Sequence, residues 1–226
     1  MTRHRSSDGI DRRSALRAAG LGVLGLGAAA GTAGCDRASA SPSPTGTQSA
    51  PPGAQLLYLI RHAEKPTGKG APYGVDEDGE KDKHSLTPRG WTRAGALIGL
   101  FTSGYRGIML PRTIFAARPD GSKRPLETVT PLARRVGLAV DATIGPDDAA
   151  AAAAAATRAP GVSVMAWEHH AIPAIAAALG TVEPRPPAAW PGDRFDVVWE
   201  FTRDGLVWRF TQIPQLLLDG DRSTGI

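Results

Sequence analysis

The stretch Leu56–Pro66, with the sequence LLYLIRHAEKP, decides how the rest of the chain can be interpreted. Its five apolar residues, Leu56–Ile60, run directly into Arg61, His62 and Glu64. An uninterrupted apolar run of this length is typical of a strand that is buried on both faces of a sheet. Open α/β sheets bind their ligands at the carboxyl ends of strands. The stretch therefore predicts a core strand that delivers an arginine and a histidine into a pocket.

Apolar patterns downstream of this stretch alternate between strands and helices. Short apolar runs predict further strands at 112–117, 138–141 and 161–168. Periodicity and capping residues predict helices at 86–101, 124–138, 147–158 and 171–179. Alternating residues on either side of Asp204-Gly205 predict a final hairpin. This order predicts a three-layer α/β/α sandwich with a mostly parallel sheet and an antiparallel C-terminal edge hairpin.

Three of the predicted strands lead into cationic or titratable side chains. Arg61 and His62 follow the first strand, Arg124 follows the loop after the second, and His169 follows the last parallel strand. If these strands are neighbours, the four side chains converge and repel one another unless an anion lies among them. Phosphate fits, because it carries about two negative charges and its oxygens accept the paired hydrogen bonds of guanidinium groups.

Four segments resemble the histidine phosphatase superfamily, also called phosphoglycerate mutase-like. LYLIRHAEKP is similar to that family's Arg-His-small-Glu signature, and LTPRGWTRAGAL to its L-T-x-x-G-x-x-Q-A segment, with Arg93 in place of the common Gln. IFAARPDGSKRPLET is similar to its strand, loop and R-x-x-E-T, and VMAWEHHAIPAIAAAL to its last strand ending in His. The resemblance covers about residues 54–212 in the family's order, and it implies a phosphatase without a metal or other cofactor.

The resemblance implies a role for each matching residue. His62 matches the nucleophile, which attacks phosphorus and forms a phosphohistidine that water then hydrolyses. Arg61, Arg124 and His169 match the groups that hold the phosphoryl group and neutralise its charge. His169, which directly follows the apolar strand, is preferred to His170 for this role.

The general acid that protonates the leaving oxygen has no clean match to the family's pattern. We predict Glu64 for this role, and the alternative that Glu64 only orients the site through hydrogen bonds is equally open. Asp147 and Asp148 lie after the second arginine region, where many family members carry the acid. Asp82, in the polar loop 65–85, is a further positional candidate.

The first 34 residues predict an export signal. Arg12-Arg13 precede a weakly apolar stretch rich in Gly and Ala, which resembles a twin-arginine signal peptide. The stretch ends in TAGC at 32–35, similar to a bacterial lipobox except that Thr32 stands where an aliphatic residue is usual. Cys35 is predicted to be lipidated, with an incidental thiol as the alternative. As the chain's only cysteine it cannot form an internal disulfide.

These patterns predict that the chain consists of three parts. Residues 1–34 are predicted as the signal peptide, 35–53 as a disordered linker rich in Ser, Pro and Ala, and 54–226 as the histidine phosphatase domain. The first 34 residues hold five arginines and two aspartates, so the formal net charge of +4 falls to +1 for the remainder. Such a balance gives nucleic-acid binding no support.

The sequence thus predicts an exported phosphatase that hydrolyses a small phosphomonoester through a phosphohistidine on His62. We expect it to be extracytoplasmic and anchored to the cell membrane by lipidated Cys35; the sequence specifies neither the substrate nor the oligomeric state. A catalytically idle phosphate- or phosphoester-binding lipoprotein stays open, because the acid is unassigned and flanking motifs depart from the family's pattern. A mutase-like phosphotransferase is a third hypothesis, which the export signal disfavours because sugar phosphates are mostly cytoplasmic.

Overall fold

The computed structural model describes residues 55–226, so the predicted signal peptide, Cys35 and the linker lie outside the described residues. Seven strands, four α-helices and one short 3₁₀ helix make up this part of the chain. In chain order they are β1 (Leu56–Arg61), α1 (Pro88–Thr102), the 3₁₀ helix (Tyr105–Gly107), β2 (Thr113–Ala116), α2 (Arg124–Val136), β3 (Val140–Asp141), α3 (Ala149–Arg158), β4 (Val162–Trp167), α4 (Ile172–Ala178), β5 (Thr181–Glu183), β6 (Val197–Asp204) and β7 (Val207–Pro214). Between residues 55 and 226, no helix is long and apolar enough to cross a membrane.

The strands form one mixed sheet in the order β3-β2-β4-β1-β6-β7-β5. Every residue of β1 is buried, and the strand lies between β4, which is parallel to it, and β6, which is antiparallel. Parallel pairing runs from Leu56 opposite Val162 to Arg61 opposite Trp167, so β1 and β4 end at the same level of the sheet. This register brings the residues after Arg61 beside the residues after Trp167.

Two hydrophobic layers cover the faces of the sheet. Along β1, Leu57 and Leu59 pack in one cluster with residues of α3 and α4, whereas Tyr58 and Ile60 pack in the other with residues of α1 and α2. Successive side chains of a strand point to opposite faces, so a strand covered on both faces has to be apolar throughout. The predicted three-layer α/β/α sandwich with a mostly parallel sheet is therefore confirmed.

The C-terminal hairpin is confirmed as the antiparallel pair β6 and β7, with two differences in detail. Its two-residue turn is Gly205-Leu206, one position later than predicted, and Gly205 has φ +60°. Glycine at the first position of a two-residue turn supplies the positive φ that such hairpins require. The sequence analysis did not predict β5, which pairs parallel with β7 and forms the outer edge beyond the hairpin.

Helix α1 packs closely against the loop that follows β1. Thr87 caps the helix by accepting a hydrogen bond from the backbone N–H of Gly90, and Pro88 is its first residue, as predicted. A Cβ atom on Gly90 would lie 2.5 Å from the backbone oxygen of Glu64. Only glycine permits this approach, which holds the backbone two residues beyond His62 in place.

Candidate functional site

His62 lies at the carboxyl end of β1 and is fully buried. Its backbone N–H donates to Trp167 O at 3.0 Å, which ties it to the end of β4. The ring Nδ1 lies 2.7 Å from Ala63 O. Because a carbonyl oxygen can only accept, Nδ1 carries a proton, and Nε2 is the nitrogen that can act as a nucleophile. This is the tautomer that attack on phosphorus requires.

Glu168, the residue after β4, places Oε2 3.1 Å from His62 Nε2. This contact does not meet hydrogen-bond geometry, and Nε2 is buried without a hydrogen-bond partner among residues 55–226. Burial by itself raises the pKa of Glu168, but contacts with His62 and Ser122 and the charge of Arg124 outweigh it and lower the pKa to about 2. Burial lowers the pKa of His62, and the contact with Glu168 opposes this effect.

Arg61 is held by the loop before β6. Its Nη1 donates to Gly192 O at 2.8 Å and to Arg194 O at 3.0 Å, and its guanidinium carbon lies 3.8 Å from the ring centre of Phe195. Burial lowers the pKa of Arg61 to about 10, so the side chain is still charged at neutral pH. Within the described chain, its Nε and Nη2 are buried without hydrogen-bond partners. Buried donors of this kind are costly unless an acceptor pairs with them.

Arg124, the first residue of α2, holds the end of the loop before α1. Its Nε donates to Ser85 O at 3.2 Å, Nη2 donates to Lys83 O, and Nη1 donates to the Ser122 hydroxyl at 3.3 Å. One turn later, the Glu127 carboxylate accepts from the Ser85 hydroxyl at 2.6 Å. The R-x-x-E part of the sequence motif therefore fixes this loop beside the site, with the Arg124 charge close enough to act on Glu168.

The two adjacent histidines have different surroundings. His169 is partly buried, and its Nδ1 has no hydrogen-bond partner in the described part of the chain. Burial, followed by the charges of Arg61 and Lys65, lowers the pKa of His169 to about 4, so its ring is neutral at physiological pH. His170 is exposed, and its Nε2 lies 3.3 Å from the Asp147 carboxylate. His169 is the histidine of the pair that lies within the electrostatic reach of Arg61 and His62.

Glu64 belongs to a buried ionic network. Its carboxylate accepts from Arg93 Nε at 3.0 and 3.1 Å and from Arg93 Nη2 at 2.9 Å, and Arg89 Nε lies 3.3 Å away. Arg93 also donates to Asp221 at 2.6 Å and to Gln215 at 2.9 Å. These contacts favour the orienting role for Glu64, and its role as the acid stays a prediction. Arg93, where the family pattern has Gln, is the centre of this network.

Two cavities are lined by different residues of the site. One, of about 260 Å³, is lined by residues of the 117–125 loop, Pro146, Asp147, Glu168 and His170, and we call it the Glu168 cavity. The other, also of about 260 Å³, is lined mainly by Glu64, Arg89, Arg93 and residues of 193–196 and 220–222. Glu168 and Glu64 therefore face different spaces.

Glu168 is the residue that the sequence analysis missed. The sequence did contain a signal for this residue: a glutamate follows the apolar run of the last parallel strand and directly precedes His169, which matches the family's histidine. Glu168, His169 and His170 also place one ligand atom each within 4.8 Å of one another, a spacing that could hold a metal ion. His and carboxylate ligands at this spacing suit zinc and similar ions. The absence of a metal, which the family resemblance implies, stays a prediction.

Among known proteins, this chain resembles solved structures by its fold and not by its sequence. No family model matches the sequence, and no curated protein matches it. The protein histidine phosphatase SixA, solved as a complex with tungstate, matches with 12% identity and a TM-score of 0.50, over 71% of this chain and 97% of that chain.

Two further solved structures match over a similar extent. A phosphoglycerate mutase from Bacillus anthracis str. Sterne has 11% identity and a TM-score of 0.45, over 72% of this chain and 93% of its own. A mycobacterial glucosyl-3-phosphoglycerate phosphatase has 18% identity and a TM-score of 0.43, over 71% and 97%. At 12% identity, the match to SixA is a likeness of fold alone, and it agrees with the predicted phosphoglycerate mutase-like fold class.

Proposed function

We propose that this protein is a phosphatase that hydrolyses a phosphomonoester through a phosphohistidine on His62. The observation that carries the proposal is the state of the His62 ring: Nδ1 is bonded to a carbonyl oxygen, and Nε2 is the nitrogen left for attack. Arg61 and His169 provide the second support, because three of their buried nitrogens have no partner within residues 55–226. A phosphoryl group would supply acceptors for those that carry a proton.

The reaction then follows from charge and geometry. Nε2 of His62 attacks phosphorus in line while the ester bond breaks, and the phosphoryl group moves to the ring. Arg61 and Arg124 neutralise charge that develops on the phosphoryl oxygens, and His169 helps to orient them. Water next attacks the phosphohistidine, inorganic phosphate leaves, and His62 is restored. The bond from Nδ1 to Ala63 O keeps the ring in one orientation through both steps.

Export and membrane attachment are a separate part of the proposal. Paired Arg12-Arg13, the Gly- and Ala-rich stretch, and the TAGC sequence at 32–35 support a signal peptide that ends in lipidated Cys35. This would place the phosphatase outside the cytoplasm on a membrane anchor. Mass spectrometry of the membrane fraction tests it: we expect a mature chain that begins at lipidated Cys35, and an unmodified Cys35 in a soluble protein would refute it.

The experiment for the phosphatase proposal is a panel of phosphomonoesters assayed for release of inorganic phosphate. We expect turnover of at least an aryl phosphate by the wild-type protein and none by His62→Ala. His84→Asn is the matched control, since His84 lies in the loop before α1 and contacts backbone rather than the nucleophile. Phosphate binding without turnover of any ester would favour the idle binding protein, and transfer to an added alcohol in preference to water would favour the phosphotransferase.

A further inference from the structure

A buried ion pair lies in the loop that holds Arg61. It joins Arg194 and Asp196, just before β6, where Arg194 Nε donates to Asp196 Oδ1 at 2.7 Å. We infer that Arg194 is a positioning residue, which fixes this loop so that one edge of the Arg61 guanidinium faces the phosphoryl group. The inference rests on the anion-binding part of the proposed function and adds to it the residue that orients the arginine.

The guanidinium of Arg61 has two sides with different partners. Nη1 donates to the carbonyl oxygens of Gly192 and Arg194, at 2.8 and 3.0 Å. Nε and Nη2 are buried and have no hydrogen-bond partner among residues 55–226. These two nitrogens lie on one edge of the guanidinium, where their N–H groups are parallel and fit two oxygens of one phosphoryl group. The carbonyl oxygens on Nη1 therefore determine which edge is left for the anion.

The carbonyl oxygen of Arg194 is a shared acceptor in this arrangement. It accepts from Arg61 Nη1 and also from the indole N–H of Trp190, at 2.9 Å. The next residue, Phe195, places its ring centre 3.8 Å from the Arg61 guanidinium carbon and 6.0 Å from the centre of the His62 ring. A shift of this backbone would consequently move both the acceptor and the aromatic ring that hold Arg61.

The side chain of Arg194 ties the same backbone to a distant part of the chain. Besides its bond to Asp196, it donates from Nη1 to Gly225 O at 3.0 Å and from Nη2 to Thr224 O at 2.7 Å. Asp196 continues the link, because its Oδ2 accepts from the backbone N–H of Arg222 at 2.7 Å. All three guanidinium nitrogens of Arg194 are thus bound, and the loop that carries its carbonyl oxygen is anchored on two sides.

Stability alone does not account for this pair. Arg194 and Asp196 are only 4% and 5% exposed. Taking two charges out of water costs about as much as their attraction returns, so apolar residues of the same volume often stabilise a fold equally well. Apolar side chains, however, make no directional contacts and cannot hold a carbonyl oxygen at a set place beside a guanidinium. Orientation of Arg61 is what the ion pair supplies.

Arg222 provides a matched contrast in the same region. Its side chain pairs with Asp193 at 2.8 Å, but the two side chains are 58% and 65% exposed. A hydrated pair of this kind holds its partners weakly. Only the backbone N–H of Arg222 reaches Asp196, and that bond survives a change of side chain. Arg222→Met therefore removes one positive charge without removing the anchor.

A double-mutant cycle on anion affinity tests the inference. Tungstate, which resembles phosphate in shape and charge, is titrated calorimetrically up to millimolar concentration into the wild type, Arg194→Met, Arg61→Ala and the double variant. We expect Arg194→Met to weaken tungstate binding by about 10- to 100-fold, the effect of misdirecting a charge-assisted hydrogen bond. In the Arg61→Ala background, where Arg124 and His169 remain, the same substitution should change the affinity by less than about twofold, because Arg194 acts through Arg61.

The titration also separates positioning from a loss of folded protein. Its stoichiometry reports the fraction of protein that binds, whereas the dissociation constant does not depend on that fraction. Arg194→Lys keeps a charge opposite Asp196, but one nitrogen replaces three and cannot bond to Asp196 and both backbone carbonyls. It should weaken tungstate binding less than Arg194→Met, and the same cycle is run with it if Arg194→Met does not fold.

The outcomes distinguish this inference from the proposed function. Arg222→Met should change the tungstate affinity by less than about twofold. An unchanged affinity in Arg194→Met, or an equal loss with and without Arg61, would overturn the inference. The predicted coupling in a protein that releases phosphate from no ester would support the inference and refute the phosphatase proposal. A wild-type protein that does not bind tungstate would overturn the inference whatever its activity.

Discussion

Replacement of Arg93 tests the ionic network behind the nucleophile. The guanidinium is buried and bridges Glu64 and Asp221 with contacts of 2.6–3.1 Å. Arg93→Met keeps the apolar stem of the side chain but removes the charge that neutralises both carboxylates. Breaking a buried ion pair from one side typically costs about 3–5 kcal/mol. We expect a loss near 3 kcal/mol, because Arg89 lies 3.3 Å from Glu64 and offsets part of the effect.

Urea unfolding followed by circular dichroism measures this loss. With a slope of about 1–3 kcal/mol per molar urea, a loss of 3 kcal/mol moves the midpoint down by about 1–3 M. Arg118→Met is the matched control: its pair with Asp120 is about half exposed, so it should cost about 0–1 kcal/mol. Phosphatase activity should also fall in Arg93→Met, because Glu64 follows the nucleophile by two residues. A loss below about 1 kcal/mol in Arg93→Met would refute the assigned role of the network.

Two further predictions concern pH and packing. Burial, together with nearby positive charge, lowers the pKa of His169 from 6.5 to about 4, so between these values the unfolded chain binds a proton that the folded chain excludes. Stability should therefore fall as the pH drops from about 6.5 to about 4, and His169→Asn should lose less over this range in urea titrations at each pH; equal losses would contradict the burial of His169. Gly90→Ala should lower the midpoint of thermal unfolding and the activity, because its Cβ would meet the Glu64 backbone oxygen at 2.5 Å. Gly95→Ala, on the same helix with nothing within 4 Å, should instead stabilise by about 0.5–1 kcal/mol; if both variants behave alike, the contact at Gly90 does not constrain the loop.

Most of the fold could be predicted because each long element carries a local signal. The run before Arg61 is apolar at every position, which is what a strand between two helical layers requires. Thr87-Pro88 and Gly137 mark helix ends through capping geometry that depends only on neighbouring residues. β5 has three residues, none of them fully buried, and therefore no pattern by which the sequence could reveal it.

The site could be predicted in part, because its residues follow strands that end at one edge of the sheet. The contact between His62 and Glu168 depends on the parallel register of β1 and β4, which pairs residues more than a hundred positions apart. The role of Arg93 depends in the same way on Asp221, which is distant in sequence. Local patterns do not encode such pairings, so Glu64 stood out as an acid while Glu168 went unnoticed.

The site of phosphorylation during turnover shows directly whether His62 is the nucleophile. Wild-type protein mixed with a labelled aryl phosphate is quenched in alkali within a turnover, digested, and analysed by mass spectrometry for acid-labile phosphate. We predict the label on the peptide that contains His62, and no label in His62→Asn. Turnover with the label on another residue, or undiminished turnover by His62→Asn, would contradict it.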